Sequence, residues 1–213
     1  MRKLFLLLFL IIFHSNCSAQ WTRQIGINVV PLIANSVEVV SEFNRHPGYS
    51  LNFNAGYTFH TGYVGMIDHK VYDGLSQRKT SGAFAKAGGK LYLTGLNGKQ
   101  RKTNFYLGLH VIISQYKKTA LKRAVDTNYQ FTDEYRSLSS KGVAVNPAIS
   151  FGFTRRITQN FTLDWGLQKA FIAQKNDGFG TSLRNYYPGA GSGQSDPFIG
   201  YFQGILALKY RLH

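Results

Sequence analysis

Residues 49–60 read Tyr49-Ser50-Leu51-Asn52-Phe53-Asn54-Ala55-Gly56-Tyr57-Thr58-Phe59-His60. Tyr49, Leu51, Phe53, Ala55, Tyr57 and Phe59 hold one parity, and polar residues or glycine hold the other. Side chains alternate between the two faces of a strand, so this stretch predicts a strand with one apolar and one polar surface. It runs to about twice the usual strand length of roughly 5–6 residues. About 9–11 tilted residues cross the hydrocarbon of a bilayer.

The same alternation recurs in seven other segments. The first is 24–33, with Ile25, Ile27, Val29, Pro31 and Ile33 on the apolar face. In 37–44, Val37, Val39 and Phe43 oppose Glu38, Glu42 and Asn44. Segment 82–94 shows Ala83, Ala85, Ala87, Leu91 and Leu93, and 104–116 shows Phe105, Leu107, Leu109, Val111 and Ile113. Segment 143–155 carries Val143, Val145, Ile149, Phe151 and Phe153; 161–172 carries Phe161, Leu163, Trp165 and Leu167. The last, 198–212, carries Phe202, Leu206, Leu208, Tyr210 and Leu212. The expected fold is all-β: an eight-stranded antiparallel up-and-down transmembrane β-barrel with a side-chain-filled lumen. Eight is even, as single-chain bacterial barrels require.

The connections fit that count. Short turns fall at 45–48, 95–100 and 156–160, and long outer connections at 61–81, 117–142 and 173–197; Ala34-Asn35-Ser36 is the one brief outer link. The glycines and serines of 189–197 predict a flexible loop tip, and no Lys-Ser/Thr follows them as in a phosphate-binding loop. A soluble barrel of lipocalin type would turn the apolar parity inward and expose Lys, Glu and Thr on its strands. Here the polar parity is rich in Gly and Asn, and most charges sit in connections.

Residues 1–19 have the make-up of a secretory signal peptide: Arg2-Lys3, an apolar run over 4–13, then Cys17-Ser18-Ala19. Cleavage is expected before Gln20, leaving the barrel at 20–213. Processing before Cys17 with lipidation is the rival, although Asn16 is an unusual residue ahead of a lipidated cysteine. Cleavage after Ala19 removes the only cysteine, and with it any disulfide or thiol chemistry. No later stretch approaches about 18 apolar residues, which excludes helical spans. Charged residues make up 16% of the chain, against about 25% in soluble domains. The net charge of +15 falls by two, to +13, when Arg2 and Lys3 leave with the leader. Export argues against nucleic acid as the partner of this charge. Outer-membrane lipids, lipopolysaccharide phosphates above all, are the expected counter-charges, with Lys117, Lys118, Lys122, Arg123 and Arg136 as the candidate contacts; an envelope protein is the other candidate partner. Scattered solvated lysines would give the same balance.

An eight-stranded barrel holds only side chains or one small ligand. Inward Gly26, Gly56, Gly88, Gly108, Gly152 and Gly166 leave room for Tyr92, Tyr106 and Tyr116. Glu38, Glu42 and Asp164 share that interior with Lys86, Lys90, Lys209 and Arg211, and an ion-pair network is expected because unpaired buried charge is costly. Such a network reads as a plug; a proton or ion path is the alternative.

Ile25-Gly26-Ile27-Asn28-Val29-Val30-Pro31-Leu32 with Ser36-Val37-Glu38-Val39 resembles the opening hairpin of small outer-membrane barrels common in Bacteroidetes. Gly88-Gly89-Lys90-Leu91-Tyr92-Leu93, Phe105-Tyr106-Leu107-Gly108, Ser150-Phe151-Gly152-Phe153 and Phe161-Thr162-Leu163-Asp164 resemble later strands of that group. The resemblance covers most of the exported chain and implies the fold and an outer-membrane location. Many of its members have no assigned role. The ending on His213 departs from the usual terminal aromatic.

Catalysis finds little support in the sequence. A lipid A deacylase needs Ser, His and an acid converging where acyl chains enter. His46 lies in a turn, His60 and His69 near the outer rim, and His213 at the end. His110 and Ser114 face the lumen about 13 Å apart along one strand. His60 meets Ser76 or Ser81 and Asp68 or Asp73 only if the loops fold together. A metal site lacks cysteine and closely spaced histidines, and no cofactor is implied. The expected function is a non-enzymatic structural or docking barrel. A lipid A-modifying enzyme and an accessory of outer-membrane secretion or transport are the alternatives.

Overall fold

A computed structural model describes residues 21–46, 48–62, 74–93, 102–127, 130–172, 178–179, 185–192 and 202–212. The signal segment 1–19 lies outside the described residues, as do the turn at 95–100 and His69, Asp68, Asp73 and His213. In chain order the strands are β1 Thr22–Asn28, β2 Ser36–His46, β3 Tyr49–Thr61, β4 Leu75–Tyr92, β5 Thr103–Val125, β6 Phe131–Arg156, β7 Phe161–Ala170, β8 Tyr186–Tyr187, β9 Gly191–Ser192 and β10 Gln203–Leu212. Eight of them close an antiparallel barrel in the order β1-β10-β7-β6-β5-β4-β3-β2, while β8 and β9 form a separate hairpin. Ile25 shows the closure: it stands opposite Tyr210 of β10 on one side and Ser41 of β2 on the other.

The wall is apolar outside and polar inside. Leu109 is 71% exposed on the outer surface, whereas its neighbour in the next row, Tyr106, is fully buried in the lumen. Ile27, Phe53, Val111, Val145 and Leu208 share the outward face. Toward the turn end a girdle of rings encircles the wall: Phe43 on Phe53, Phe105 on Phe153, Phe153 stacked on Trp165, and Phe161 on Tyr210. Tyr57 and Phe59 pack together near the loop end. An outward apolar band between aromatic girdles is the surface pattern of barrels that sit in lipid.

Four expectations need correction. The first strand stops at Asn28 rather than 33, and Val30–Ala34 forms a 3-10 helix with Pro31 in its opening turn. Proline has no N–H to continue the ladder, so Asn28 closes the strand instead, accepting the Leu206 N–H through Oδ1 at 3.0 Å. The connection expected over 61–81 is shorter, because β4 begins at Leu75. The connection expected over 117–142 is mostly strand: β5 and β6 stay paired up to Val125 opposite Phe131. Beyond the lipid neither face of a strand needs to be apolar, so the alternation that marks the wall fades while the ladder continues. The supposed flexible tip at 189–197 is also different, since 189–192 is buried inside the barrel mouth; 193–197 lies outside the described residues.

Candidate functional site

The lumen is filled from both ends. Toward the turns, β2, β4, β7 and β10 each send a charged side chain to the axis. Glu42 receives Lys209 at 2.7 Å and Lys90 at 3.1 Å, and Asp164 receives the same two ammonium groups at 2.9 and 2.5 Å. Tyr92 donates its hydroxyl to Glu42, and Asn52 donates to it at 3.2 Å. One level up, Glu38 pairs with Lys86 at 2.9 Å and accepts from Asn54 at 2.8 Å and Asn28 at 3.1 Å. Three carboxylates and three ammonium groups cancel, and every one is buried. Lys90 also lies 4.6 Å from the centre of the Tyr106 ring. Arg211, expected in the same network, stays out of it: among the described residues no carboxylate pairs with it, and its backbone N–H donates to Asn160 near the turn end.

Glycines set the lumen's packing. A Cβ at Gly152 or Gly166 would come within 3.0 Å of the Tyr106 hydroxyl, and one at Gly56 would strike the Phe84 ring at 2.3 Å. Small inward positions on one strand thus receive rings from another.

A cavity of about 30 Å³ lies among the charged groups, lined by Glu38, Lys86, Lys90, Asp164, His110 and Ser150 among others. It has room for about two waters. His110 Nε2 lies 2.7 Å from Ser150 Oγ across the β5–β6 pair. Sequence reasoning weighed His110 against Ser114 on the same strand; the cross-strand partner depends on register, which no pattern along one strand reveals. Ser114 instead donates to the Pro188 carbonyl at 2.6 Å. Ser150 is 2% exposed and His110 half-buried, and both line this cavity rather than the apolar outer wall.

The outer mouth is stopped by 185–192. This hairpin turns through Gly189 and Gly191, both at positive φ (71° and 90°). Gln168 donates to the Gly189 carbonyl at 3.2 Å, and Arg78 donates to Asn185 at 3.2 Å. Tyr187 packs edge-on against Tyr116 and joins Ile112, Ala144, Ala148, Ala170 and Ala190 in one apolar cluster. Lys118, expected at the surface, is 1% exposed, with its ammonium 3.7 Å from the Tyr187 ring centre, 4.8 Å from Tyr116 and 5.8 Å from Phe179. Its even parity on β5 is the inward one. A cation held against three ring faces binds the plug to the wall.

Above the wall, β5 and β6 project as a hairpin. β7 leaves β6 at Ala148, and the last bond to that side runs from the Phe171 N–H to the Pro147 carbonyl. No described residue pairs with the β7-side edge of β6 from 131 to 146. Strand residues direct both backbone groups to one side, alternating along the chain. Pro147 faces β7, so Val145, Val143, Lys141, Ser139 and Ser137 face the open edge. The other expected lipid contacts divide by parity on this hairpin. Lys117 and Arg123 share the outer face; Lys122 and Arg136 stand opposite each other on the inner face. Arg123 is engaged within the hairpin, bonding Asp133 and the Thr132 carbonyl, both at 3.0 Å.

No protein-family model matches the chain, and no curated protein matches it either. Among solved structures, Neisserial surface protein A is similar at 10% identity over 90% of this chain and 94% of that one, with a TM-score of 0.42. Ail, the attachment invasion locus protein of Yersinia pestis, is similar at 11% identity over 90% and 97%, with a TM-score of 0.42. Ail in complex with the heparin analogue sucrose octasulfate gives 10% identity, the same coverage and a TM-score of 0.39. Likeness at this level carries no argument, and the eight-strand architecture rests on the pairing registers.

Two exposed lysines escaped the sequence reading. Lys141 stands directly opposite Lys117, and Lys79 pairs with Thr119 one row further out on the same face. Both fell inside stretches assigned to loops, where parity has no meaning until a strand is recognised.

Proposed function

We propose that the protein is an integral barrel of a Gram-negative outer membrane, without enzymatic activity, that serves as a docking platform. Its basic outer surface meets anionic glycolipid, and its projecting hairpin captures a partner polypeptide. The observation that carries this reading is the open edge of β6. Five alternate residues, from Ser137 to Val145, direct their backbone groups to that edge, and no described residue pairs with them there. Exposed edges invite strand addition, and soluble proteins usually block them. The filled lumen supports the same reading, since traffic through the wall would have to displace six mutually paired charges. The Ser150–His110 pair faces the lumen, away from the apolar wall, and so gives no support to a lipid A-modifying enzyme; nothing among the described residues favours a secretion accessory.

The test is Ser139→Pro. It removes an edge N–H without touching the β5 ladder. A photo-cross-linker at Ser137 should capture an extracellular or envelope protein in the parent, and hydrogen exchange at Ser139, Lys141 and Val143 should slow when that partner binds. Both effects should vanish in the Pro variant while the barrel assembles normally. Capture that survives the proline would refute strand addition. The lipid A spectrum of cells with and without the gene should be identical; a changed acyl or phosphate pattern would restore the enzyme reading.

A further inference from the structure

Lys117 of β5 and Lys141 of β6 face each other in register on the outer, lipid-facing side of the wall. Odd residues of β5 direct their backbone toward β4, as the Arg123 N–H does in donating to Gly74, and odd residues of β6 direct theirs toward β7. Lys117 and Lys141 are therefore a non-hydrogen-bonded pair, the kind whose side chains stand closest, with Cβ atoms about 4.5–5.5 Å apart. Like charges at that spacing repel. Lys79 of β4 adds a third positive charge diagonally across the ladder. Ser81, Thr119 and Ser139 complete the neighbourhood, and none of these six residues is a carboxylate. All three lysines are exposed, and no ion pair to any of them exists among the described residues. By contrast Lys118, Lys86, Lys90 and Lys209 each have a ring or carboxylate partner.

The height of the cluster is also defined. Below Lys141 the outer face continues as Val143 and Val145. Below Lys117 it continues as Gln115 and Ile113, and below Ser81 as Ala83 beside Tyr57. The lysines thus sit within two rows of the apolar band and the Tyr57–Phe59 aromatics, at the level of headgroups rather than in open solution.

We infer that Lys117, Lys141 and Lys79 form a clamp for the phosphate of an outer-leaflet glycolipid, with the acyl chains lying against the apolar wall beneath. The clamp rests on the outer-membrane placement proposed above and specifies which basic residues meet the lipid. An ammonium group binds phosphate as a point charge, and three of them around one anion turn their mutual repulsion into shared attraction. The hydroxyls of Thr119 and Ser139 supply donors at the same site, while Ser81 beside Lys117 is buried.

The test uses the barrel folded in detergent and native mass spectrometry of retained lipid. Three probes are titrated: a bisphosphorylated lipid A, the same lipid stripped of phosphate, and inorganic phosphate. The phosphorylated lipid should bind with defined stoichiometry, and the stripped lipid and free phosphate far more weakly. Combining Lys79→Gln, Lys117→Gln and Lys141→Gln should weaken binding on the order of 100-fold, from roughly 1 kcal/mol for each basic residue near an anionic surface. The double substitution Lys122→Gln/Arg136→Gln, on the other face, should leave binding unchanged. Unheated gel mobility checks that each variant is folded. Equal binding by the triple variant, equal binding of the stripped lipid, or free phosphate as tight as the lipid would each overturn the clamp. Partner capture that survives Ser139→Pro, with lipid binding lost in the triple variant, would remove strand addition alone. A barrel that stays monomeric without detergent would remove the membrane placement itself.

Discussion

Glu42→Gln should be among the most damaging conservative substitutions in the wall. Glutamine keeps the shape and can still bond Tyr92 and Asn52, so the change isolates the charge. Glu42 is 1% exposed and holds Lys209 at 2.7 Å and Lys90 at 3.1 Å. Without it both ammonium groups converge on Asp164, at 2.9 and 2.5 Å, and one positive charge is left without its own counter-ion. At an effective dielectric near 20, unit charges about 4 Å apart attract by roughly 4 kcal/mol. Breaking a buried pair from one side costs about 3–5 kcal/mol, because the remaining charge stays desolvated. Glu42→Gln should therefore lower the folding equilibrium constant by roughly 10²–10⁴, at about 1.4 kcal/mol per factor of ten. Adding Lys209→Met restores neutrality and leaves the Lys90–Asp164 pair alone. The double variant should recover most of the loss, so the coupling between the two sites should be at least as large as the stability recovered. Urea unfolding in lipid vesicles, followed by tryptophan fluorescence and gel mobility, measures all four corners of the cycle. A Glu42→Gln barrel within about 1 kcal/mol of the parent, or a double variant weaker than the single, would show that water already solvates these charges and that the lumen is not sealed.

The plug makes two further predictions. Gly189→Ala puts a Cβ 2.3 Å from the Phe84 ring at a φ of 71°, so the hairpin 185–192 should undock, with faster amide exchange there and an unchanged melting point for the wall. Neither the parent nor Gly189→Ala should give steady conductance steps in a planar bilayer, because the charged cluster still closes the lumen below; steady steps in the variant alone would assign the seal to the plug. Lys118→Met should loosen the hairpin by about 1–2 kcal/mol through loss of ring contacts. Lys118→Glu should displace it altogether, since an anion meets the same ring faces; equal exchange rates in the two variants would mean that the cation contributes nothing.

The wall was legible because one rule of parity, apolar outward and polar inward, holds on every strand of it. Ile25, Leu51, Val111 and Leu208 had to point outward, and an eightfold repetition of that parity left little choice of architecture. The same rule put Glu38, Glu42 and Asp164 inside. It could not say which lysine meets which carboxylate, because that depends on the stagger between β4, β7 and β10. Nor could it reach past the membrane. From Lys117 through Lys141 the outer face is no longer apolar and the alternation is lost while the ladder continues, so a paired hairpin read as a loop. The hairpin 185–192 failed for the opposite reason: Gly189 and Gly191 signal flexibility in isolation, yet here they supply the turn that lets Tyr187 fold down onto Lys118.

These two misreadings fall on the elements that carry the proposed function and the plug. The charged cluster of the lumen is neutral and mutually paired, with the plug above it, so its chemistry is spent on holding the barrel together. Among the described residues, two outer features stand without a partner: the β7-side edge of β6 over 131–146, and Lys79, Lys117 and Lys141, which have no acid. Both carry a standing free-energy cost in the isolated molecule, the first through unpaired backbone groups at a β-edge and the second through like-charge repulsion. A strand and a phosphate are the simplest partners that relieve them, and the two features lie on the same hairpin, with Lys141 belonging to both. A lipid phosphate drawn to Lys141 from the outer face and a strand bonded along its backbone would meet at one residue. Partner binding should then respond to the phosphorylation state of the surrounding glycolipid, and Lys141→Gln should weaken that response more than Lys79→Gln does.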